Sequence, residues 1–202
     1  MCGSVGRMSE LKFGPARVPS QESPEEAVEL LVERGYTACE IDFEGRFWMD
    51  YDFATRLGEL RARLEKKDRA VPFGVEVMGR VRDLGSAEDV VEISHRCGWV
   101  RPVLDFAHMH ATSDGAFTSV EPFAGVLASA DAVMPPDTPF HVHFSDIQFA
   151  NRNETKHLPY GEGTLRAEPL REALARFERP ATVISESPTV ESTDEIKAIL
   201  GA

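Results

Sequence analysis

Six residues have the types and places to hold a divalent cation together: Glu76, Asp105, His108, His143, His157 and Glu186. Carboxylate oxygens and imidazole nitrogens satisfy Zn²⁺ or Mn²⁺ without any thiolate. Glu76 sits inside the apolar run Val75-Glu76-Val77, and Glu186 closes Val183-Ile184-Ser185-Glu186. A carboxylate in such a run is costly unless it has a partner. Taken singly, each residue has an ordinary reading: a helix cap, a solvated loop carboxylate or a hydrogen-bonded loop histidine. Their joint placement at the ends of different apolar segments points to one metal centre. His95 falls in a helical segment and His110 lies beyond the loop, so neither is expected to ligate. His141 and His143 share a strand. Only one is expected to face the site, and His143 is nearer the strand's end.

The elements that would bring these residues together alternate regularly. Strand-like runs occupy 11–15, 38–43, 71–78, 100–105, 139–144 and 181–186. Helix signals follow each of them. Ser23-Pro24-Glu25-Glu26 opens a helix that Gly35 ends, and residues 51–67 carry leucines at 57, 60 and 64. Further helices are expected over 86–97, 120–130, 169–177 and 192–200, with long polar loops at 108–118 and 145–164. Strict alternation predicts an α/β fold with a parallel sheet of about six βα units. In such folds the functional face lies at the C-terminal strand ends, which is where the six candidates fall. No glycine-rich phosphate-binding motif follows any strand.

Composition bounds the rest. The chain has 202 residues, 42% of them apolar, which suits one core. Asp and Glu number 34 against 22 Lys and Arg, for a net charge of −12. That sign argues against a general nucleic-acid coat protein or an anionic-membrane binder, while leaving room for a local basic rim. No apolar window reaches membrane-spanning length. The cysteines at 2, 39 and 97 form no paired motif, so a reduced, cytoplasmic compartment is expected. Residues 1–7 read as an expression scar or disordered N-terminus, leaving 8–202 as a single domain.

Five motifs then stand in order: Gly74-Val75-Glu76-Val77-Met78-Gly79, Leu104-Asp105-Phe106-Ala107-His108, His143-Phe144-Ser145-Asp146, His157-Leu158-Pro159-Tyr160-Gly161-Glu162-Gly163 and Ser185-Glu186-Ser187-Pro188. Together they resemble the endonuclease IV family of apurinic/apyrimidinic endonucleases, within the xylose-isomerase-like TIM barrels. The likeness covers residues 73–188. It implies a TIM-barrel-like fold with Glu76, Asp105, His108, His143, His157 and Glu186 as metal ligands, Glu76 and Glu186 being catalytic as well. It further implies one to three Zn²⁺ ions, with Mn²⁺ as the alternative, and DNA bearing abasic sites as partner. Arg46-Phe47-Trp48 resembles the family's second-strand loop, so Arg46 and Trp48 become candidate DNA contacts.

Two departures from the family pattern stand out. The family places an Asp two residues before the histidine of the Gly-Glu-Gly loop; here that position is Thr155, and Glu154 beside it is the substitute. The family barrel has eight strands, typically in about 250 residues, and its third and fourth strands each supply a His with no counterpart here. The chain reads as if a strand-helix-strand block were missing near residues 52–60, giving an incomplete barrel. The exposed edges require either a tightened or open wall, or a homodimer pairing across them. Three functions follow as expectations: a metal-dependent endonuclease cutting beside abasic sites, a sugar or sugar-phosphate isomerase or epimerase, and a truncated non-catalytic relative.

Overall fold

A computed structural model describes residues 11–16, 33–38, 73–83, 85–96 and 100–202. Five strands form one parallel sheet: β1 (Leu11–Pro15), β2 (Phe73–Glu76), β3 (Val100–Asp105), β4 (Phe140–Phe144) and, beyond a hairpin, β7 (Ala181–Ser185). Their order is β1-β7-β4-β3-β2. Register is continuous through the wall: Asp105 lies beside His143, and His143 beside Ile184. The sheet is a partial barrel wall among the described residues.

Alternation along the strands sorts the two faces. Phe13, Leu104, Phe140, Val142, Phe144 and Val183 point outward and are almost wholly buried. The helices that cover them are α1 (Ala87–Arg96), α2 (Phe106–Thr112), α3 (Val120–Asp131), α4 (Ala167–Leu174) and α5 (Val190–Leu200). Phe106 anchors this layer, with ring centroids 4.8 Å from Phe123 and 5.7 Å from Phe117. The inward face carries the polar set: Glu76, Asp105, His141, His143 and Thr182.

Most expected elements appear close to their expected bounds, with two corrections. The segment after Asp105 is a helix, α2, not a loop. Asp105 caps it, because its Oδ1 accepts the His108 backbone N–H at 2.8 Å. The polar stretch 145–164 contains an antiparallel hairpin, β5 (Asp146–Ala150) with β6 (Asn153–Leu158). Thr37 and Ala38 donate to the Phe13 carbonyl at 2.9 and 3.2 Å, running onto the flank of β1. A Cβ on Gly14 would collide with the Ala38 carbonyl, so this approach requires glycine. The remainder of the expected second strand, the helix at 51–67, residues 1–7, Cys39, Cys97, Arg46 and Trp48 lie outside the described residues. Of the two strand edges expected to need cover, that of β2 is described and ends the sheet among the described residues.

Candidate metal centre

All six candidate ligands converge at the C-terminal end of the wall. Glu76 ends β2, Asp105 ends β3, His108 lies in the first turn of α2, His143 lies on β4, His157 on β6, and Glu186 follows β7. They divide into two groups whose ligand atoms lie within 4.8 Å of one another: Glu76, Asp105, His143 and Glu186, and His108, His157 and Glu186. Glu186 belongs to both. Its Oε1 lies 3.6 Å from His143 Nδ1, and its Oε2 lies 3.6 Å from His157 Nε2. His143 Nδ1 is also 3.3 Å from Glu76 Oε1 and 3.8 Å from Asp105 Oδ2. Four ligands held about 2.1 Å from a tetrahedral cation lie about 3.4 Å apart. The observed spacings therefore suit shared coordination.

Two further features fit a cation. Asp105 Oδ2 and Glu186 Oε2 are buried and receive no hydrogen bond, although buried acceptors normally have a donor. Both carboxyls are also pushed up toward about 7, first by burial and then by neighbouring carboxylates. A divalent ion would relieve both the missing donors and the crowded charge.

The histidines are aimed by the residues behind them. His108 Nδ1 lies 2.7 Å from the Val77 carbonyl and donates to it, so Nε2 faces the site. His157 Nδ1 lies 2.6 Å from Ser145 Oγ, which likewise turns its Nε2 toward Glu186. Burial holds the His157 pKa below the ordinary range, with His108 adding to the effect, while Glu186, Glu154 and Glu76 oppose it. A neutral imidazole is the ligating form. His110, expected not to ligate, is buried in a separate role: its Nε2 meets Thr164 Oγ1 at 2.8 Å, and its Nδ1 accepts the Phe117 N–H at 3.2 Å.

Glu154 lies beside the second group, its Oε2 2.9 Å from His108 Nε2. The hairpin explains how. Ile147 pairs with His157 and Phe149 pairs with Glu154, so Thr155 is an extra residue in a β-bulge. Without the bulge, Glu154 would face away from His157. With it, both side chains share one face. The displacement seen in sequence is thus absorbed by the backbone.

The expected choice between His141 and His143 is corrected. Residues two apart share a strand face, and their rings stand 5.5 Å apart on the same inner side. His143 reaches the carboxylates because it sits one layer higher, while His141 lines the cavity below with Arg101 and Thr182.

Asp146, which closes the His143-Phe144-Ser145-Asp146 motif with no role assigned to it there, is fully buried and organises the Gly-Glu-Gly loop. Its Oδ2 accepts N–H groups from Gly161 at 3.2 Å and Gly163 at 2.7 Å, and an Arg166 guanidinium N–H at 3.1 Å. Its Oδ1 accepts from Leu165 at 3.2 Å and from Ile147 at 3.0 Å. A Cβ on Gly163 would strike this carboxylate, which accounts for the glycine. Asp146→Ala removes the acceptor for all five donors and is expected to cost about 3–5 kcal/mol, read by urea denaturation. An unchanged midpoint would contradict this role.

Comparison with known proteins agrees with the fold. An uncharacterised protein of Methanocaldococcus jannaschii is 27% identical over 131 residues, 64% of this chain and 48% of the relative. The chain thus spans about half the length of that curated relative. A D-tagatose 3-epimerase-like protein superposes with a TM-score of 0.53 at 18% identity, covering 96% of this chain and 76% of that one. Endonuclease IV from Thermus thermophilus gives a TM-score of 0.49 at 14% identity, covering 94% of this chain and 97% of that one. At 18% identity the likeness to the epimerase-like protein concerns the fold alone. Residues 49–200 match the xylose isomerase-like TIM barrel family across most of the chain. The chain belongs to the xylose isomerase-like TIM barrel family.

Proposed function

We propose that this protein is a divalent-metal-dependent phosphodiesterase that cuts DNA at abasic sites. The observation that carries this reading is the position of Glu186, whose two oxygens serve two adjoining donor groups. A sugar isomerase of this superfold needs only the first group, Glu76, Asp105, His143 and Glu186. The second group, His108, His157 and Glu186, with Glu154 beside His108, has no task in that chemistry but suits a second cation. Zn²⁺ is the expected ion and Mn²⁺ the alternative.

Bound divalent cations supply Lewis acidity and lower the pKa of a water. The chain's own residues do the rest. Asp105 fixes the start of α2 with one oxygen and turns the other inward. The Val77 carbonyl holds His108 in the tautomer that presents Nε2, and Ser145 orients the His157 ring. Asp146 sets the loop that follows His157. Arg46 and Trp48 are proposed DNA contacts by the family likeness alone.

The test is a duplex with one abasic site, incubated with Zn²⁺- or Mn²⁺-loaded protein and resolved on a denaturing gel. A metal-dependent break at the lesion is expected. An intact strand, with two ions bound, would overturn the proposal. The epimerase reading retains one favouring observation: Glu76 and Glu186 flank the same donor group, as a proton-moving carboxylate pair would. Turnover of free ketoses without duplex cleavage would select it.

A further inference from the structure

Among the described residues, the exposed large apolar side chains are Met78, at 38%, and Val81, at 47%. Both lie on the loop that leaves β2 directly after Glu76. That loop is tied to the hairpin beside it. Glu154 N–H donates to the Gly79 carbonyl at 2.8 Å, Arg80 bridges Asn153, and Val81 N–H donates to Asn153 Oδ1 at 3.3 Å. Loop and hairpin tip therefore form one continuous rim, with Glu154 on its inner side against His108.

Three arginines stand on this rim: Arg80, Arg82 and Arg152. The Arg80 side chain is 61% exposed and meets Glu154 only at 3.6 Å. Arg152 donates through Nε to the Thr112 carbonyl at 2.7 Å. Neither Arg82 nor Arg152 has an ion pair among the described residues. Elsewhere, Arg34, Arg96, Arg166, Arg176 and Arg179 each pair with a carboxylate, whereas Arg171 donates to the Ile199 carbonyl. Asp83, next to Arg82 in sequence, forms no ion pair with the rim arginines among the described residues. Guanidinium groups left exposed beside a metal centre, in a chain of net charge −12, form a local attractor for a polyanion.

We propose that this rim is a docking surface for a nucleic-acid backbone. Arg80, Arg82 and Arg152 take phosphates along one strand, and Met78 and Val81 rest against sugar faces. The rim abuts Glu76 and Glu154, so a backbone seated there passes over the metal centre. This deepens the phosphodiesterase reading and rests on it.

The test uses metal-loaded protein and a fluorescently labelled undamaged duplex, which offers no lesion to cut, followed by anisotropy over a salt series. Each phosphate contact contributes about one to the slope of log affinity against log salt. The Arg82→Gln/Arg152→Gln pair should lower that slope by about 2 and weaken binding by about tenfold or more. Metal content and hydrolysis of a small phosphodiester should stay unchanged. Arg82→Gln alone, at an exposed position with no hydrogen bond among the described residues, guards against misfolding and should lower the slope by about 1. Unchanged slopes in variants that still cut abasic DNA would overturn the rim while sparing the enzymatic reading. Wild-type protein that fails to bind duplex would also overturn the rim, and small-ester hydrolysis would then report on the phosphodiesterase separately. Duplex binding with the expected slopes but without cleavage would keep the rim and sink the enzymatic reading.

Discussion

Glu186→Gln should abolish binding of both cations and lower phosphodiesterase activity by about a thousandfold or more. Among the described residues, no other belongs to both donor groups. The carboxylate presents one oxygen to His143 and the other to His157, 3.6 Å away in each direction. Replacing one oxygen with an amide removes charge from both sites and turns an N–H group toward one of them. A cation's stabilisation of a transferring phosphoryl group is worth several kcal/mol, and about 4 kcal/mol is a thousandfold in rate. Glu154→Gln touches only the second group, through His108. That variant should lose about one ion and keep the first. Elemental analysis of both purified variants distinguishes the outcomes. Equal metal loss in the two would mean that the groups are not separate sites.

The second large effect is the dependence of metal affinity on pH. Asp105 and Glu186 are both held near about 7, well above ordinary carboxylates, chiefly by burial. In the metal-free folded chain they therefore keep protons that the unfolded chain releases between about pH 4 and 7. The folded state binds more protons in that window, so metal-free stability falls as pH rises through it, by about 1.4 kcal/mol per unit for each retained proton. A cation must displace the same protons. Its apparent affinity should rise by up to about a hundredfold per pH unit if two are released, flattening above about pH 7.5. Calorimetric titration in buffers of differing ionisation enthalpy counts those protons. Release should be clear near pH 6 and fall away toward pH 8. Metal-free stability that rises with pH between 4 and 7 would contradict the account.

The strand ends of the site were legible because they break a rule. Glu76 and Glu186 stand against apolar neighbours, and a carboxylate in an apolar run needs a reason. Asp105 was legible as a ligand but not as the cap of α2, since a polar residue ending a strand hides the start of a helix. The hairpin was hidden by its turn. Asn151 and Arg152 take φ of 51° and 62°, the geometry of a two-residue type I′ turn. The usual signal for that turn is Asn-Gly, and Asn-Arg does not announce it. The bulge that brings Glu154 beside His157 left only an odd spacing in the sequence. Asp146 carried no signal of its own, because its partners are mostly backbone N–H groups from a loop fifteen and more residues away. The likeness of residues 73–188 to endonuclease IV pointed to the candidate ligands. The pairing of the two donor groups through Glu186 required the fold.

The most direct measurement is the number of cations per chain, taken by titrating metal-free protein with Zn²⁺ and with Mn²⁺ and confirmed by elemental mass spectrometry. The convergent site predicts two ions per chain, one of which disappears in Glu154→Gln and both in Glu186→Gln. A folded protein that binds no ion, or binds one that survives loss of Glu186, would contradict it.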